Sequence, residues 1–503
     1  MQNEAEMGNG PLVFRLVLDD DGTIAASCSN KSWNFIAKFE IYTLEDPIQA
    51  EISDGEEISD ISEIWMTRQH LGDHSLSEST VSIMKGWIQE CLESHDACSH
   101  TVMGGYSPTR LIDVGPKDGS KEPFLFEVRE NLPDRLSEVS LDPLTEEKTR
   151  TYQTKEGTPK VLHYATLSHC WGGTQHLQST METLNNRKQS IPLSSMNQTF
   201  RDAVNVTRDL DLQYLWIDSL CIIQDSPSDW SRESGKMCSV YSNAVVNISA
   251  ASSSNGDESF LHSRPIAVEV PHRFNEAEEN WSPAKPIWIR PPIGKATSIE
   301  KSTLSSRAWC YQEEVIAPRS LRFGHSEVVV ECRQLRRRES IPDWNVHPSS
   351  FDKNVRLEFS SLLRQGCFNQ DQRDFAMKLW HSMVGSYSRR VLSFAKDKLP
   401  AISGLASQVG SVTGYRYLAG LWSGDLPYGL CWEAGNVEQR SKVTPYRTPT
   451  WSWASQNDRV TYNLFIDLGH YKINWDTYVL DYSTECISDD VYEIGRASCR
   501  ERV

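Results

Sequence analysis

The stretch VLHYATLSHCWGG, Val161–Gly173, runs from an apolar, aromatic and β-branched segment into two glycines, the pattern of a buried strand that ends in a tight turn. Its neighbours give the strand a context. FRDAVNVTRDL (Phe200–Leu210) repeats its apolar residues at helical spacing, and YLWIDSLCI (Tyr214–Ile222) is a nearly continuous apolar strand. Ser226-Pro227 opens another helix, and AVVNISAA (Ala244–Ala251) is again a buried strand. Strand, helix, strand, helix, strand in this order predicts an α/β fold with a mostly parallel sheet, because parallel neighbours need crossover helices that cover both faces.

Toward the N-terminus, LVFRLVL (Leu12–Leu18), the turn signal Asp20-Asp21-Gly22 and the alternation of FIAKFEIY read as β structure. An acidic loop from Glu45 to Glu63 precedes VSIMKGWIQECLESHDACSH, where Ile83, Trp87, Cys91, His95 and Cys98 recur at steps of three or four, the spacing of one helix face. Cys91, His95, Cys98 and His100 are all zinc-ligand types. Their spacing matches none of the usual paired-cysteine patterns, so the stripe is read as a packing face and no metal is expected. Toward the C-terminus, SLRFG and EVVVECR form a hairpin around Gly324, with Arg336, Arg337 and Arg338 read as a solvated turn. Residues 355–405 are helical in pattern, and YLAGLW and PTWSWAS read as short aromatic strands. The last residues, EIGRASCRERV (Glu493–Val503), back-translate as a sequencing-adapter read-through, so the natural C-terminus is expected to be missing beyond about residue 492.

At 503 residues the chain exceeds one ordinary core, and 39% hydrophobic residues with 16 Trp, 17 Tyr and 15 Phe support two or three packed domains. A formal charge of −17 excludes general attraction to nucleic acid or anionic lipid. No apolar run reaches membrane-span length, the N-terminus has no leader pattern, and the 12 cysteines are scattered, so a cytoplasmic protein without a disulfide framework is expected. The sequence has no G-x-G-x-x-G fingerprint, no Walker A loop and no G-x-S-x-G elbow.

The chemistry must therefore come from a less generic set of residues. Ser168, His169, Trp171, Gly172 and Gly173 lie just past the carboxyl end of a strand, where doubly wound sheets hold ligands; the glycines admit a phosphate and Trp171 offers a stacking face. The competing reading is a tight turn with a buried tryptophan. Asp218 ends the strand YLWID, either to orient a ligand or to cap the next turn. In SSRAWCYQEEVIAPRS, Trp309 and Glu313 share a helix face while Glu314 points about 100° away, so Glu313 is the candidate carboxylate, against a plain hydrogen-bonded one. Arg307 and Arg319 bracket that helix, as phosphate ligands or structural ion pairs. His169 and Cys170, adjacent on an extended strand, face opposite ways and form no nucleophile–base pair; His163 or His325 with Cys170 or Cys310 stays open.

Three blocks, YATLSHCWGG, YLWIDSLCIIQD and SRAWCYQEEVIAPRSLRFG, together and in this order resemble the signature of the fungal heterokaryon-incompatibility (HET) family, with support from PTRLIDVG, YLAGLW and PTWSWAS. The resemblance implies non-self recognition and programmed cell death, acting with an incompatibility partner protein and as a homo-oligomer. It further implies a TIR-like, flavodoxin-like core. Several TIR domains hydrolyse NAD, and their catalytic glutamate sits in a W-C-x-x-E run matched by Trp309, Cys310 and Glu313. NAD would then be substrate, and no cofactor is expected. The alternatives are a non-enzymatic signalling module acting by self-association, or a small-molecule enzyme marked by an apolar pocket at Trp171. The expected division is residues 1–110 as a β-rich and helical region, 111–160 as hairpin and linker, 161–335 as the HET domain with an insertion near 255–301, and 336–492 as a mixed region.

Overall fold

The computed structural model describes residues 13–18, 24–30, 33–42, 69–99, 106–128, 136–141, 148–152, 162–172, 177–270, 287–291, 293, 302–341, 355–435, 447–462, 478–486 and 494–502. Strands β1 (Val13–Leu18), β2 (Ile24–Asn30) and β3 (Trp33–Tyr42) form a meander, followed by helices α1 (Glu78–Ser94) and α2 (Asp96–Ser99). Strands β4 (Arg110–Asp113) and β5 (Phe124–Glu127) pair with each other, as do β6 (Leu136–Leu141) and β7 (Lys148–Tyr152). The central segment runs β8 (Tyr164–Ser168), α3 (Leu184–Gln189), α4 (Gln198–Asp209), β9 (Tyr214–Trp216), α5 (Asp218–Cys221), α6 (Pro227–Ser234), α7 (Met237–Ser242) and β10 (Val246–Ser249). Strands β11 (Val268–Val270) and β12 (Ile287–Arg290) then join β3, giving a five-stranded sheet in the order β1-β2-β3-β12-β11. Helix α8 (Ala308–Ile316) leads into β13 (Arg319–Phe323), β14 (Val328–Cys332) and β15 (Arg336–Arg338), and helices α9 (Val355–Gln365), α10 (Gln370–Tyr387) and α11 (Ser403–Thr413) come next.

The site is positioned by an eight-stranded mixed sheet, order β15-β14-β13-β10-β8-β9-β4-β5. Its four central strands, β13, β10, β8 and β9, are parallel, and antiparallel hairpins complete both edges. This is the α/β sheet that the strand–helix alternation requires. Every residue of β8, β10, β13 and β4 is buried, as expected for strands covered on both faces. Helix α4 covers one face: the Asn197 side chain caps it by accepting the Phe200 N–H, and Phe200, Ala203, Val204 and Val206 are buried. Ser226 caps α6 in the same way, with Pro227 in its first turn.

The order of the parallel strands matters most. The chain moves from β8 sideways to β9, then returns past β8 to lay down β10, and continues outward to β13. The direction of winding therefore reverses between β8 and β10. At such a switch point the flanking connections diverge and leave a crevice at the carboxyl ends of the strands.

Four local expectations are corrected. The apolar run Tyr214–Ile222 is strand only to Trp216, because Asp218 accepts the Ser219 N–H at 2.7 Å and starts the short helix α5. The stripe from Ile83 to Cys98 is not one helix: α1 stops at Ser94, and His95, with φ −98° and ψ 97°, turns the chain into α2. Arg336–Arg338 is edge strand β15 rather than a solvated turn, since Arg336, Arg337 and Arg338 each pair with a glutamate, Glu331, Glu90 and Glu327. In PTWSWAS, Trp453–Ser455 forms a 3-10 turn, whereas YLAGLW is two short strands paired as a hairpin, with Ala419 and Gly420 both at positive φ. The acidic loop Glu45–Glu63 and the linker ahead of β8 lie largely outside the described residues. Among the described residues, no helix is long and apolar enough to cross a membrane.

Candidate functional site at the switch point

Ser168 is the last residue of β8, and Asn247 lies on β10 beside it, so the two flank the point where the winding reverses. Asn247 is a polar residue in a fully buried strand, which costs free energy unless its amide finds partners. It does: Thr166 Oγ1 donates to Asn247 Oδ1 at 3.0 Å, and Asn247 Nδ2 donates to Ser168 Oγ at 3.1 Å. Ser168 in turn donates its hydroxyl to Glu313 Oε2. A line of polar groups thus leads from the sheet to the helix-borne carboxylate, each bond polarising the next.

Glu313 projects from α8 into this corner and is only 5% exposed. Burial above all, and then the Asp218 carboxylate, push it up to about 7; the Ser168 hydroxyl, the Arg307 guanidinium and the Tyr241 hydroxyl act in the opposite direction. Tyr241, at the end of α7, donates to the Leu167 carbonyl at 3.2 Å, and burial first, then Glu313, holds its phenol protonated. Arg307, the residue before α8, donates to the His169 carbonyl and so ties the helix start to the turn after β8. Asp218 begins α5 at the end of β9; its second oxygen accepts the Trp171 indole N–H at 3.0 Å. The ends of β8 and β9 and the start of α8 thereby bring Ser168, Trp171, Asp218, Arg307 and Glu313 to one end of the sheet.

Glu313 and Glu314 part as helical phase requires. Glu314 turns away from Ser168 to an arginine pair, where Arg390 donates to it at 2.6 Å and Arg322 of β13 lies at 3.8 Å. Trp309, one turn before Glu313 on the same helix, gives its indole N–H to Asp397 Oδ2 at 3.3 Å in the C-terminal region. The helix positions turned toward the turn after β8 are Cys310, which packs with Cys170 and Leu304, and Glu313. Burial pushes both the Cys170 and Cys310 thiols up, which removes the thiolate that a nucleophilic role needs. His163 is exposed, and His325 packs on the His262 ring at 4.8 Å, tilted by 34°. His169 is buried edge-on against Phe200 at 5.1 Å. Arg319 reaches the Val245 carbonyl at 2.8 Å rather than the end of α8.

Gly172 has φ +72°, and a Cβ there would lie 2.6 Å from the Asn255 Cβ, so only glycine fits the turn. Gly173 lies outside the described residues. Tyr241 and Asn247 are not legible as site residues in the sequence; the lone asparagine inside AVVNISAA was the available signal for the second.

The family described as Heterokaryon incompatibility protein (HET) matches residues 164–313, from the first residue of β8 to Glu313 itself. The chain carries a HET domain. No curated protein and no solved structure matches it. The matched span of the HET domain includes β8, β9, β10 and most of α8, so Ser168, Trp171, Asp218, Tyr241, Asn247 and Arg307 all fall within it. The HET domain leans on elements beyond that span, since β13, β14 and β15 continue its sheet on one edge and β4 and β5 on the other.

Proposed function

We propose that this chain acts in heterokaryon incompatibility as a cell-death effector, and that its HET domain hydrolyses the nicotinamide–ribose bond of NAD in a TIR-like manner. The observation that carries the reading is the buried carboxylate of Glu313, held near pH 7 between neutral and charged forms at the switch point of the sheet. In the reaction the bond between ribose C1′ and the nicotinamide nitrogen breaks, and its electron pair neutralises the pyridinium. Water supplies oxygen to C1′ and releases a proton. The barrier lies in the oxocarbenium-like ribose, so a carboxylate beside the developing positive charge lowers it electrostatically, and the ionised form of Glu313 is the working one. Arg307 and Gly172 are suited to the phosphates, and Asp218 with Trp171 to the ribose and the nicotinamide ring. An incompatibility partner protein and self-association belong to the same proposal.

A second reading rests on the 5% exposure of Glu313 and its bond to Ser168: the cluster is a polar lock within a signalling scaffold. One experiment separates the two. Purified chain incubated with NAD is assayed for released nicotinamide, alongside Glu313→Gln. Release by the wild type that disappears in the folded variant supports the enzyme; no release from the wild type overturns it and leaves the lock, and equal release from both sinks the assignment of Glu313.

A further inference from the structure

Outside the switch point, the described residues hold one cluster of metal-ligand side chains: Cys91, His95, Cys98 and Cys332, all buried, with their ligand atoms within 4.8 Å of one another. Cys91 lies in the last turns of α1, and His95 and Cys98 come after it through the break into α2. That break, which ends the helical stripe, is what turns the later two side chains back toward the first. The fourth donor arrives from the last residue of β14, 237 residues after His95.

The geometry fits one ion. A tetrahedral zinc with Zn–S of about 2.3 Å and Zn–N of about 2.0 Å separates sulfur from nitrogen by roughly 3.6 Å; Cys332 Sγ and His95 Nδ1 are 3.5 Å apart. The other imidazole nitrogen, Nε2, faces Glu90 at 3.6 Å, and Glu90 is itself fixed by Arg337 at 2.6 and 2.9 Å. A carboxylate behind a ligating histidine sets its tautomer and orientation. The backbone N–H groups of Gln334 and Leu335 both donate to Cys332 Sγ at 3.3 Å, a cradle that suits a thiolate. Three thiolates and a neutral imidazole around a divalent ion leave one negative charge, and the Arg319 guanidinium lies 3.6 Å from Cys91 Sγ to meet it.

We propose that Cys91, His95, Cys98 and Cys332 bind a structural zinc ion that fastens the helices ahead of the HET domain to the hairpin after it. Soft sulfur and imidazole donors select zinc over magnesium or calcium, and four protein ligands leave no open position for catalysis. The site is independent of the NAD proposal and stands or falls separately.

The test is the metal content of full-length chain purified without chelator, measured by plasma mass spectrometry, with cobalt exchange as a second readout. About one zinc per chain is expected, and a sulfur-to-cobalt charge-transfer band with tetrahedral d–d bands after exchange. Cys332→Ser should lose most of the zinc and the band, while Cys367→Ser, outside the cluster, and His95→Cys, which keeps four soft donors, should retain them. A wild-type chain without zinc that takes up no tetrahedral cobalt overturns the proposal, whether its cysteines titrate as thiols or as a disulfide. Full zinc content in Cys332→Ser overturns it equally. If Cys332→Ser is insoluble, the wild-type stoichiometry and cobalt spectrum decide alone.

Discussion

Glu313→Gln provides the most direct test of the electrostatics at the switch point. The carboxyl rises from 4.5 in the ordinary environment to about 7 in the fold, mainly through burial. At about 1.36 kcal/mol per unit, that difference corresponds to about 3 kcal/mol. Because the folded value is above the unfolded one, the fold prefers the protonated acid. Its contribution is fully present below about pH 4.5 and is lost as pH rises through about pH 7. Glutamine matches the protonated acid in shape, carries no charge and still accepts from Ser168. The wild type and the variant should therefore be nearly equal in stability at about pH 4.5, and the variant should gain by about 3 kcal/mol on going to about pH 8.5. Urea unfolding followed by tryptophan fluorescence at several pH values measures the gap. A gap that stays flat refutes the raised value. A gap that reverses, with the wild type favoured in alkali, means that Arg307 and Ser168 outweigh burial and that Glu313 is an ordinary buried carboxylate.

Asp218→Asn removes the second cause of that rise, so the ascending limb of any NAD-hydrolysing activity should move toward acid by on the order of one pH unit, read from kcat/KM against pH. An unmoved limb would show that burial alone sets Glu313. Gly172→Ala forces a side chain into φ +72° and against Asn255, and should cost about 1–3 kcal/mol in thermal or urea unfolding; a neutral result would mean that the turn after β8 relaxes freely.

Much of this architecture was legible because its signals are local. The alternation of apolar strand and amphipathic helix from Val161 to Ala251 needs no partner to be read, and neither does the phase that separates Glu313 from Glu314. Strand order, by contrast, leaves no local trace. Nothing in AVVNISAA states that β10 lies next to β8 on the side away from β9, and without that neighbour Asn247 has no reason to meet Ser168. The partner of Trp309 was illegible for a related reason. The position of Trp309 on α8 was fixed by periodicity, but its partner Asp397 comes from a segment 88 residues away, whose docking no local pattern reports. The cysteine stripe failed in the same way, since its fourth member comes from β14, far along the chain.

These omissions share a physical cause that bears on how the site works. Glu313 lies on the helix that leads into β13, Ser168 ends β8, Asp218 starts the helix after β9, and Arg307 grips the chain after β8. The carboxylate is thus held by contacts of long sequence separation, whose closure entropy is recovered only when the whole sheet forms. A raised Glu313 can persist only in such a setting, because a locally held glutamate on an exposed helix would hydrate and return to its ordinary value. The β13–β14 hairpin pairs with β10 through β13 and carries Cys332 at the end of β14, so the sheet that confines Glu313 and the cysteine cluster share one pair of strands.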